Sequence, residues 1–449
     1  MNTLWIAGVA LAGTMAGVAG AGNQQDDVMS SLLSEVSALR ERVAELEGRE
    51  DRAAEARREE VRGLVADALA DAETRSSMLQ SGATAGYDNG FFLGNEDDSF
   101  RLNIKGQLQL RFVASLQDDT ADPSGDDTVY GFENTRTRFS FGGHVVDPSW
   151  KYFIWAGWTG NGSSLLLDAW VSKDLGDGWS IKVGQFKLPT WQEWTLSETR
   201  QQFVERSVLD ARFSQLYAQG VMASYAADNL RAHFAFSDGL RSWNNPYNEA
   251  PGATGLGFDN ATEYAFTGRV EWLLAGDWAG ATDFNGFRGD EATSVIGGGI
   301  HYQRDEYGTA SSETELIEFN IDGNFQFDGA NVYGAFIWRS LDDGDSIDRD
   351  EMGLLVQGGY FLADDLELIA RYEWGDLDGG GGVGGDDLGI LTVGATRFWA
   401  RHALKWTTDV GVAFDPVDAQ WLGGSRGFRA DSEGEDGQVV IRSQLQLLF

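Results

Sequence analysis

Two arginines separated by one residue, Arg136 and Arg138, are the first side chains in this sequence whose spacing points to a chemistry. Side chains two residues apart lie on the same face of a β-strand. A row of cations on the wall of a water-filled pore attracts anions without making or breaking a covalent bond. The alternative is that both guanidinium groups pair with carboxylates of neighbouring strands. The pattern is therefore consistent with electrostatic selection of ions and equally with ion pairs inside the wall.

The sequence lacks the side-chain patterns that enzymes and metal sites use. Cysteine is absent, which excludes thiol nucleophiles and Cys-ligated zinc. No histidine has a metal-ligand spacing such as H-x-x-x-H, and no G-x-S-x-G elbow is present. We predict no enzyme activity, no cofactor and no metal site. A hydrolase would need a serine to meet one of the histidines, which are His144, His233, His301 and His402.

The composition favours many β-strands that are connected by short turns. The 449 residues include 58 glycines and 6 prolines, and 12% are aromatic, which suits strands joined by tight turns. The net charge of -36 argues against a nucleic-acid partner, because such a partner requires a basic face.

Residues 1–22 resemble a secretory signal peptide. They are apolar and small, and they end in Ala19-Gly20-Ala21, an A-x-A cleavage pattern. No Lys or Arg precedes the apolar run, so a retained membrane anchor is the alternative. No later stretch reaches the ~18 consecutive apolar residues of a membrane-spanning helix. A further crossing of a membrane would have to use β-strands.

Residues 23–80 carry the pattern of an α-helical coiled coil. From Met29 to Leu46 the apolar residues recur in steps of three and four, which is the spacing of a coiled-coil seam. The run RVAELE at 42–47 resembles a pattern of three-stranded coils, whereas Val and Leu in the seam favour two strands. We predict a trimeric stalk, followed by a linker over 81–98. A single amphipathic helix is the alternative.

Strict period-two alternation begins at Phe100. It continues over a dozen residues, longer than the ~5–6 residues of an average soluble strand. Long strands with one apolar and one polar face are typical of membrane barrels. We predict an all-β fold, a sixteen-stranded antiparallel transmembrane β-barrel over 99–449, preceded by the short coiled coil. The strands are expected to begin near 100, 130, 150, 164, 179, 216, 229, 262, 293, 313, 330, 351, 365, 387, 402 and 436.

Long and short connections alternate between these strands, as in outer-membrane barrels. With an even number of strands both termini lie on the short-turn side, which places the coiled coil in the periplasm. The segment from Gly276 to Glu291 departs from this rule, because it lies on the short-turn side and is about sixteen residues long. The long connections are 117–129, 187–214, 239–261, 342–350, 375–386 and 416–435.

Three short runs suggest a family. VGQFKLP at 183–189, ERS at 205–207 and QGVMAS at 219–224 together resemble the phosphate-selective porin O and P family of outer-membrane channels. The resemblance covers roughly 90–449, including a terminal strand that ends in Phe449. It implies that the 187–214 connection is the third extracellular loop and folds into the barrel to narrow the pore. The alternative is a long surface loop.

Alternation also assigns the charged residues to one side of each strand. The lumen is predicted to be mixed and mildly basic, and the negative excess is assigned to the stalk and the loops. Basic residues predicted to face the lumen are Arg101, Lys105, Arg111, Arg136, Arg138, Lys182, Arg231, Arg269, Arg371, Lys405 and Arg442, and the acids are Glu263, Glu271, Glu318, Asp322, Glu367, Glu373 and Asp409. The residues expected to line the pore or its constriction are Arg136, Arg138, Lys182, Lys187, Glu193, Arg200, Glu205, Arg206, Arg231 and Arg269.

The sequence thus predicts an outer-membrane porin for passive diffusion of small hydrophilic solutes and ions, with inorganic anions such as phosphate as candidate permeants. The expected partners are two further copies in a homotrimer, outer-membrane lipid and the solutes themselves. Clustered loop carboxylates could also bind divalent cations. The alternatives are a cation-preferring general porin and a structural outer-membrane protein tethered through its coiled coil.

Overall fold

The computed structural model describes one β-barrel and isolated positions of the N-terminal region. The described residues are 82–117, 127–160, 162–245, 262–305, 314–342, 348–382, 385–422, 427–431, 434 and 437–449, with isolated positions between 34 and 63. Gly82–Phe449 forms one compact unit, and Met1–Ser81 is a separate one. The predicted signal peptide lies outside the described residues, and so does the coiled coil apart from those isolated positions, which are helical. None of the described helices is long and apolar enough to cross a membrane.

Eighteen strands form one antiparallel sheet, and sixteen of them, β3 to β18, form the barrel. The strands are β1 Ala83–Tyr87, β2 Phe91–Asn95, β3 Phe100–Leu116, β4 Thr128–Val145, β5 Asp147–Trp158, β6 Ser164–Gly176, β7 Trp179–Lys187, β8 Tyr217–Ala226, β9 Leu230–Ser237, β10 Thr262–Ala275, β11 Thr293–Asp305, β12 Glu315–Phe327, β13 Ala330–Asp342, β14 Asp348–Ala363, β15 Leu366–Asp376, β16 Asp387–Ala400, β17 Leu404–Ala413 and β18 Val439–Leu448.

The barrel closes between its first and last strands. β18 pairs with β3 from Val439 opposite Leu116 to Leu448 opposite Gln107. The terminal Phe449 continues this pairing, since its N–H donates to the carbonyl of Gly106 at 3.0 Å. The predicted sixteen-stranded barrel is therefore confirmed, and its strand starts lie within a few residues of the predicted ones.

A short hairpin precedes the barrel. β1 and β2 pair with each other, and β2 pairs with the first residues of β3, with Phe91 opposite Ile104. The edge of β3 is thus shared, because β18 covers residues 107–116 and β2 covers residues 101–104. Most of the region predicted as a linker over 81–98 is therefore paired β-structure.

The outer face of the barrel is apolar. Along β13, for example, Val332 and Phe336 are exposed, whereas Tyr333, Ala335 and Ile337 are buried on the inner face. An apolar outer band with aromatic rings near its ends is typical of barrels in membranes. Exposed rings lie beside the short turns at Trp150, Trp179, Phe327, Tyr360 and Trp399.

One predicted lumen-facing acid lies elsewhere. The register of β10 against β11 shifts between Thr262 and Tyr264, so Glu263 loses its place in the alternation. It is exposed and pairs with Arg304 at 3.7 Å. A local bulge of this kind reverses the face of neighbouring residues, and a pattern of period two does not reveal it.

Candidate functional site: the lumen of the barrel

The connection between β7 and β8, residues 188–216, lies inside the barrel and is called loop 3 here. It leaves the wall at Pro189, which has no N–H to donate to a sheet. It contains two short helices, α1 (Gln192–Thr195) and α2 (Val208–Phe213), and a 3-10 turn at Glu198–Arg200. Most of its residues are buried.

Wall side chains bind the backbone of loop 3. Wall carboxylates accept hydrogen bonds from its N–H groups, and wall cations donate to its carbonyls. Buried backbone groups need such partners, because an unpaired one is costly. These contacts join Asp322 to Gln192 N at 2.9 Å, Asp409 to Val204 N at 3.0 Å, Arg269 to Thr190 O at 2.5 Å, Arg371 to Glu205 O at 3.0 Å and Lys405 to Gln201 O at 2.7 Å.

The arginine pair of β4 also binds loop 3. Arg136 donates to Glu205 at 2.6 Å, and Arg138 forms an ion pair with Glu198. Arg111 of β3 reaches the other oxygen of Glu205 at 3.0 Å. The carboxylates that pair with Arg136 and Arg138 therefore come from the loop, whereas Arg111 also pairs with Glu133 of the neighbouring strand β4.

Two glutamates of loop 3, outside the membrane-spanning strands, have opposite electrostatic environments. Burial by itself would raise the pKa of Glu198, but Arg138 and other nearby cations outweigh burial and lower that pKa to about 2. Burial raises the pKa of Glu193 to about 7, and Asp210 adds to the rise. Glu198 therefore stays ionised at neutral pH, whereas the pKa of Glu193 lies near neutral pH.

The ERS run fixes the fold of loop 3. Glu205 binds the two wall arginines described above. Arg206 donates to the carbonyls of Glu193 at 2.9 Å and Leu196 at 2.6 Å. Ser207 caps α2 by accepting from Asp210 N at 2.9 Å, and its hydroxyl donates to Glu193 at 2.5 Å. Each residue of the run therefore makes a contact that holds the loop in one conformation.

Apolar side chains pack together inside part of the lumen. Alternation assigned only charged residues to the lumen, so this packing was not predicted from the sequence. Leu209 and Phe213 of α2 are fully buried and pack in one cluster with Ile337 and Leu355 of the wall and Trp421 of the last long connection. The inward Gly353 makes room for this contact, because a Cβ there would lie 2.8 Å from the Phe213 ring. The alternation along β13 and β14 places some apolar residues on the inward face. These residues were the sequence signal for apolar packing in the lumen.

The connection between β10 and β11, called segment 276–292 here, also enters the lumen. This explains its length, which the alternation of long and short connections did not. Phe284 packs against Tyr333 with ring centroids 4.6 Å apart, and Phe287 lies 5.1 Å from both Phe361 and Phe398. A third anchor is Asn285, whose amide donates to Glu367 of β15 at 2.6 Å.

Segment 276–292 meets loop 3 inside the barrel. Asp283 lies 3.5 Å from Arg200 and 3.0 Å from His402. The side chain of Gln192 donates to the carbonyl of Ala281 at 3.4 Å. Two chain segments, one from each end of the barrel, thus occupy the same side of the lumen.

We expect the double substitution Phe284→Ala with Phe287→Ala to release segment 276–292. Each change removes a buried ring, at about 3–5 kcal/mol of docking free energy. Single-channel conductance should rise, and trypsin should cleave at Arg288 in the folded barrel. The matched control, Phe319→Ala with Phe327→Ala, removes two outward rings and should leave both readouts at wild-type values. Equal trypsin resistance of the two variants would contradict the anchoring role of the buried rings.

A cavity of 1330 Å³ remains between loop 3 and the short-turn end, on the side of β4 to β8. Arg138, Lys182, Lys187, Arg200 and Arg269 are among its lining residues. Further cations toward its short-turn end are Arg101, Lys105, Lys151 and Arg401, and its acids are Asp88, Asp168 and Glu271. The cavity is therefore basic although the chain is strongly acidic.

Four lysines of this cavity have no carboxylate partner. Within the described part of the chain, no carboxylate oxygen lies within 4.0 Å of the ammonium group of Lys105, Lys151, Lys182 or Lys187. Lys187 instead donates to the carbonyls of Trp194 and Leu196 at 2.9 and 3.2 Å. The positive charge that is free to act on a solute therefore belongs mainly to lysines.

The predicted constriction residues separate into two groups. Arg138, Lys182, Lys187, Arg200 and Arg269 line the cavity. The others are placed differently: Glu193, Glu205 and Arg206 are buried within loop 3 and its contacts, Arg136 is bound to Glu205, and Arg231 lies over the ring of Trp278 at 4.1 Å. Their part in narrowing the pore stays a prediction.

One serine–histidine pair lies on the wall. The hydroxyl of Ser224 and Nδ1 of His233 are 2.9 Å apart on neighbouring strands. A hydrolase also needs a carboxylate to orient the imidazole, and none lies within hydrogen-bonding distance of His233 among the described residues. The described residues also hold no group of three or more His, Asp or Glu side chains arranged for a metal ion.

Comparison with known proteins finds porins that resemble this chain. Residues 106–273 match the family Phosphate-selective porin O and P. No curated protein sequence matches the chain. An anion-selective porin from Comamonas acidovorans is similar in structure, with a TM-score of 0.57 at 12% identity, over 78% of this chain and 99% of that one.

Two further solved structures share the fold. The outer membrane channel DcaP of Acinetobacter baumannii has a TM-score of 0.51 at 12% identity, over 77% of this chain and 97% of that one. OmpT of Vibrio cholerae in its trimer form has a TM-score of 0.50 at 14% identity, over 77% of this chain and 98% of that one. The match of residues 106–273 and the closed sixteen-stranded barrel support an outer-membrane channel of the porin type rather than an enzyme.

Proposed function

We propose that this chain is a homotrimeric outer-membrane porin with a weak preference for anions, and that solutes pass along the β4 to β8 side of the lumen. The cavity on that side carries the proposal. Among the described residues, no carboxylate oxygen lies within 4.0 Å of the ammonium groups of its lysines, so their charge acts on whatever enters. Phosphate and other small inorganic anions are the candidate permeants.

The opposite side of the lumen supports this route. Loop 3 and segment 276–292 pack there against the wall, with Phe213, Trp421 and Phe284 fully buried. Apolar packing at this density excludes water. The charged residues of the cavity, by contrast, line open space.

The acidic loops carry charge of the opposite sign to that of the cavity. They carry a dense negative charge that enriches cations at the mouth of the barrel. Exposed charges are screened beyond about 8 Å at physiological salt, whereas lysines in a narrow lumen act on every passing ion. We therefore expect anion preference in moderate salt and a shift toward cations as the salt is lowered.

The proposal is tested in planar bilayers with the purified full-length protein. A salt gradient of potassium chloride should give a reversal potential of the sign that anion permeation produces. A strongly cation-selective channel would favour the alternative of a general porin for cations. A folded barrel that does not conduct ions would favour the structural alternative, in which the protein is tethered through its coiled coil.

The stalk is proposed to add to trimer stability in the periplasm. We expect Leu39→Asp or Leu46→Asp to weaken the trimer, because a carboxylate at a seam position would be buried without a partner at a cost of several kcal/mol. The measurement is the trimer fraction on native electrophoresis during heating. Ser34→Asp, at a position described as helical and exposed, is the control and should behave as wild type. A monomeric wild type would contradict the stalk and the trimer together.

A further inference from the structure

The wall of the cavity carries aromatic rings where a water-filled barrel normally carries polar side chains. Phe153 of β5 lies opposite Trp170 of β6, and their ring centroids are 5.5 Å apart. Trp155 lies next along β5 on the same face. All three rings are half-buried and line the cavity, so part of each ring faces the solute path.

The next row toward the short turns is basic. Lys151 lies opposite Ser172, and Ser172 lies opposite Lys182. The two lysines are therefore two strands apart, about 10 Å. The ammonium group of Lys182 lies 4.5 Å from the ring centroid of Trp170, and neither lysine has a carboxylate partner within the described part of the chain.

The next row of lumen-facing residues toward loop 3 contains an acidic residue. Asp168 lies opposite Trp155 and accepts a hydrogen bond from Nε1 of Trp170 at 3.2 Å. The neighbouring Arg138 is already bound to Glu198. The Asp168 carboxylate disfavours an anionic group at this edge of the rings, and the two lysines favour one at the other edge.

We propose that Phe153, Trp170, Lys151 and Lys182 form a binding site for small aromatic carboxylates, a specificity that rests on the proposed channel function. The ring of the solute packs on Phe153 beside Trp170, and its carboxylate lies between Lys151 and Lys182. Adjacent lumen-facing rows are about 7 Å apart, which is enough to hold a ring and its carboxylate on neighbouring rows.

Wall packing explains only part of this arrangement. Phe153 covers Gly142 of the next strand, where a Cβ would lie 2.7 Å from the ring. That contact accounts for a large side chain on β5. It does not account for Lys182, a half-buried cation with no carboxylate oxygen within 4.0 Å of its ammonium group among the described residues, since such a cation is normally paired. A solute carboxylate supplies the missing partner.

The test is calorimetric titration of the detergent-solubilised full-length protein with benzoate and with acetate. Benzoate should bind on the order of fivefold or more tightly than acetate, because acetate lacks the ring. Phe153→Leu should remove most of that difference, and Lys182→Gln should weaken both anions. The matched controls are Phe141→Leu and Lys173→Gln, which alter outward-facing side chains and should bind benzoate as wild type does.

Equal binding of benzoate and acetate would overturn the inference, and so would unchanged benzoate binding by Phe153→Leu. Reversal potentials in potassium chloride separate this result from a failure of the channel proposal. An anion-preferring channel that binds the two anions equally overturns only the aromatic site. A cation-selective channel that still binds benzoate through Phe153 overturns only the proposed ion preference.

Discussion

Deletion of residues 191–204 is expected to raise single-channel conductance about twofold or more, because a pore widens when a segment folded into it is removed. The deleted part includes α1 and the 3-10 turn, and it supplies Glu198, the partner of Arg138. Once the loop is absent, the wall charges that held it face water instead. They then need no protein partner, so the barrel itself should still fold.

The control for this deletion is the removal of residues 246–259, an equal length of the next long connection. That variant should conduct like the wild type if loop 3 is the segment that narrows the pore. Both variants are first checked for the heat-modifiable migration of a folded barrel. Unchanged conductance of a folded 191–204 deletion would show that the narrowest part of the pore lies elsewhere, with segment 276–292 as the next candidate.

The second large effect is expected from the triple substitution Lys105→Gln, Lys151→Gln and Lys182→Gln. These lysines line the cavity and lack carboxylate partners among the described residues. Their removal takes three positive charges from the cavity and leaves its acids, Asp88, Asp168 and Glu271, in place. The reversal potential under a potassium chloride gradient should change sign, from anion preference to cation preference.

A variant with the same change in net charge serves as the control. Lys173, Arg304 and Arg397 each lie near a carboxylate and do not line the cavity. Changing these three to glutamine should leave the reversal potential near its wild-type value. If both triple variants shift it equally, the total charge of the protein sets selectivity, and the cavity has no special part.

Arg136 and Arg138 illustrate why spacing alone gives an incomplete account of selectivity. Their positions two residues apart placed both side chains toward the lumen, and the structure agrees. Which carboxylates they meet depends on loop 3, whose Glu198 and Glu205 lie 60 and 69 residues along the chain from Arg138 and Arg136, respectively. Substituting both arginines by alanine would therefore also remove one cationic partner from each of these loop carboxylates, and its effect on selectivity would have two causes.

The number of barrel strands and the face of most side chains followed from the sequence alone. Alternation with period two is a local property, and lipid outside and polar groups inside impose it on every strand. The same holds for the exit of loop 3 at Pro189, which depends on one missing N–H. Bulges such as that at Glu263 are exceptions, because one inserted residue reverses the faces without changing the composition.

Only the tertiary structure decided how the lumen is used. Segment 276–292 enters the barrel because Phe284 and Phe287 pack against rings of β13, β14 and β16. Closure of the barrel brings those three strands around the segment. The same closure sets wall carboxylates and cations opposite the backbone of loop 3. Which cations remain free for a solute depends on these contacts between distant parts of the chain, and a pattern along one strand carries no information about them.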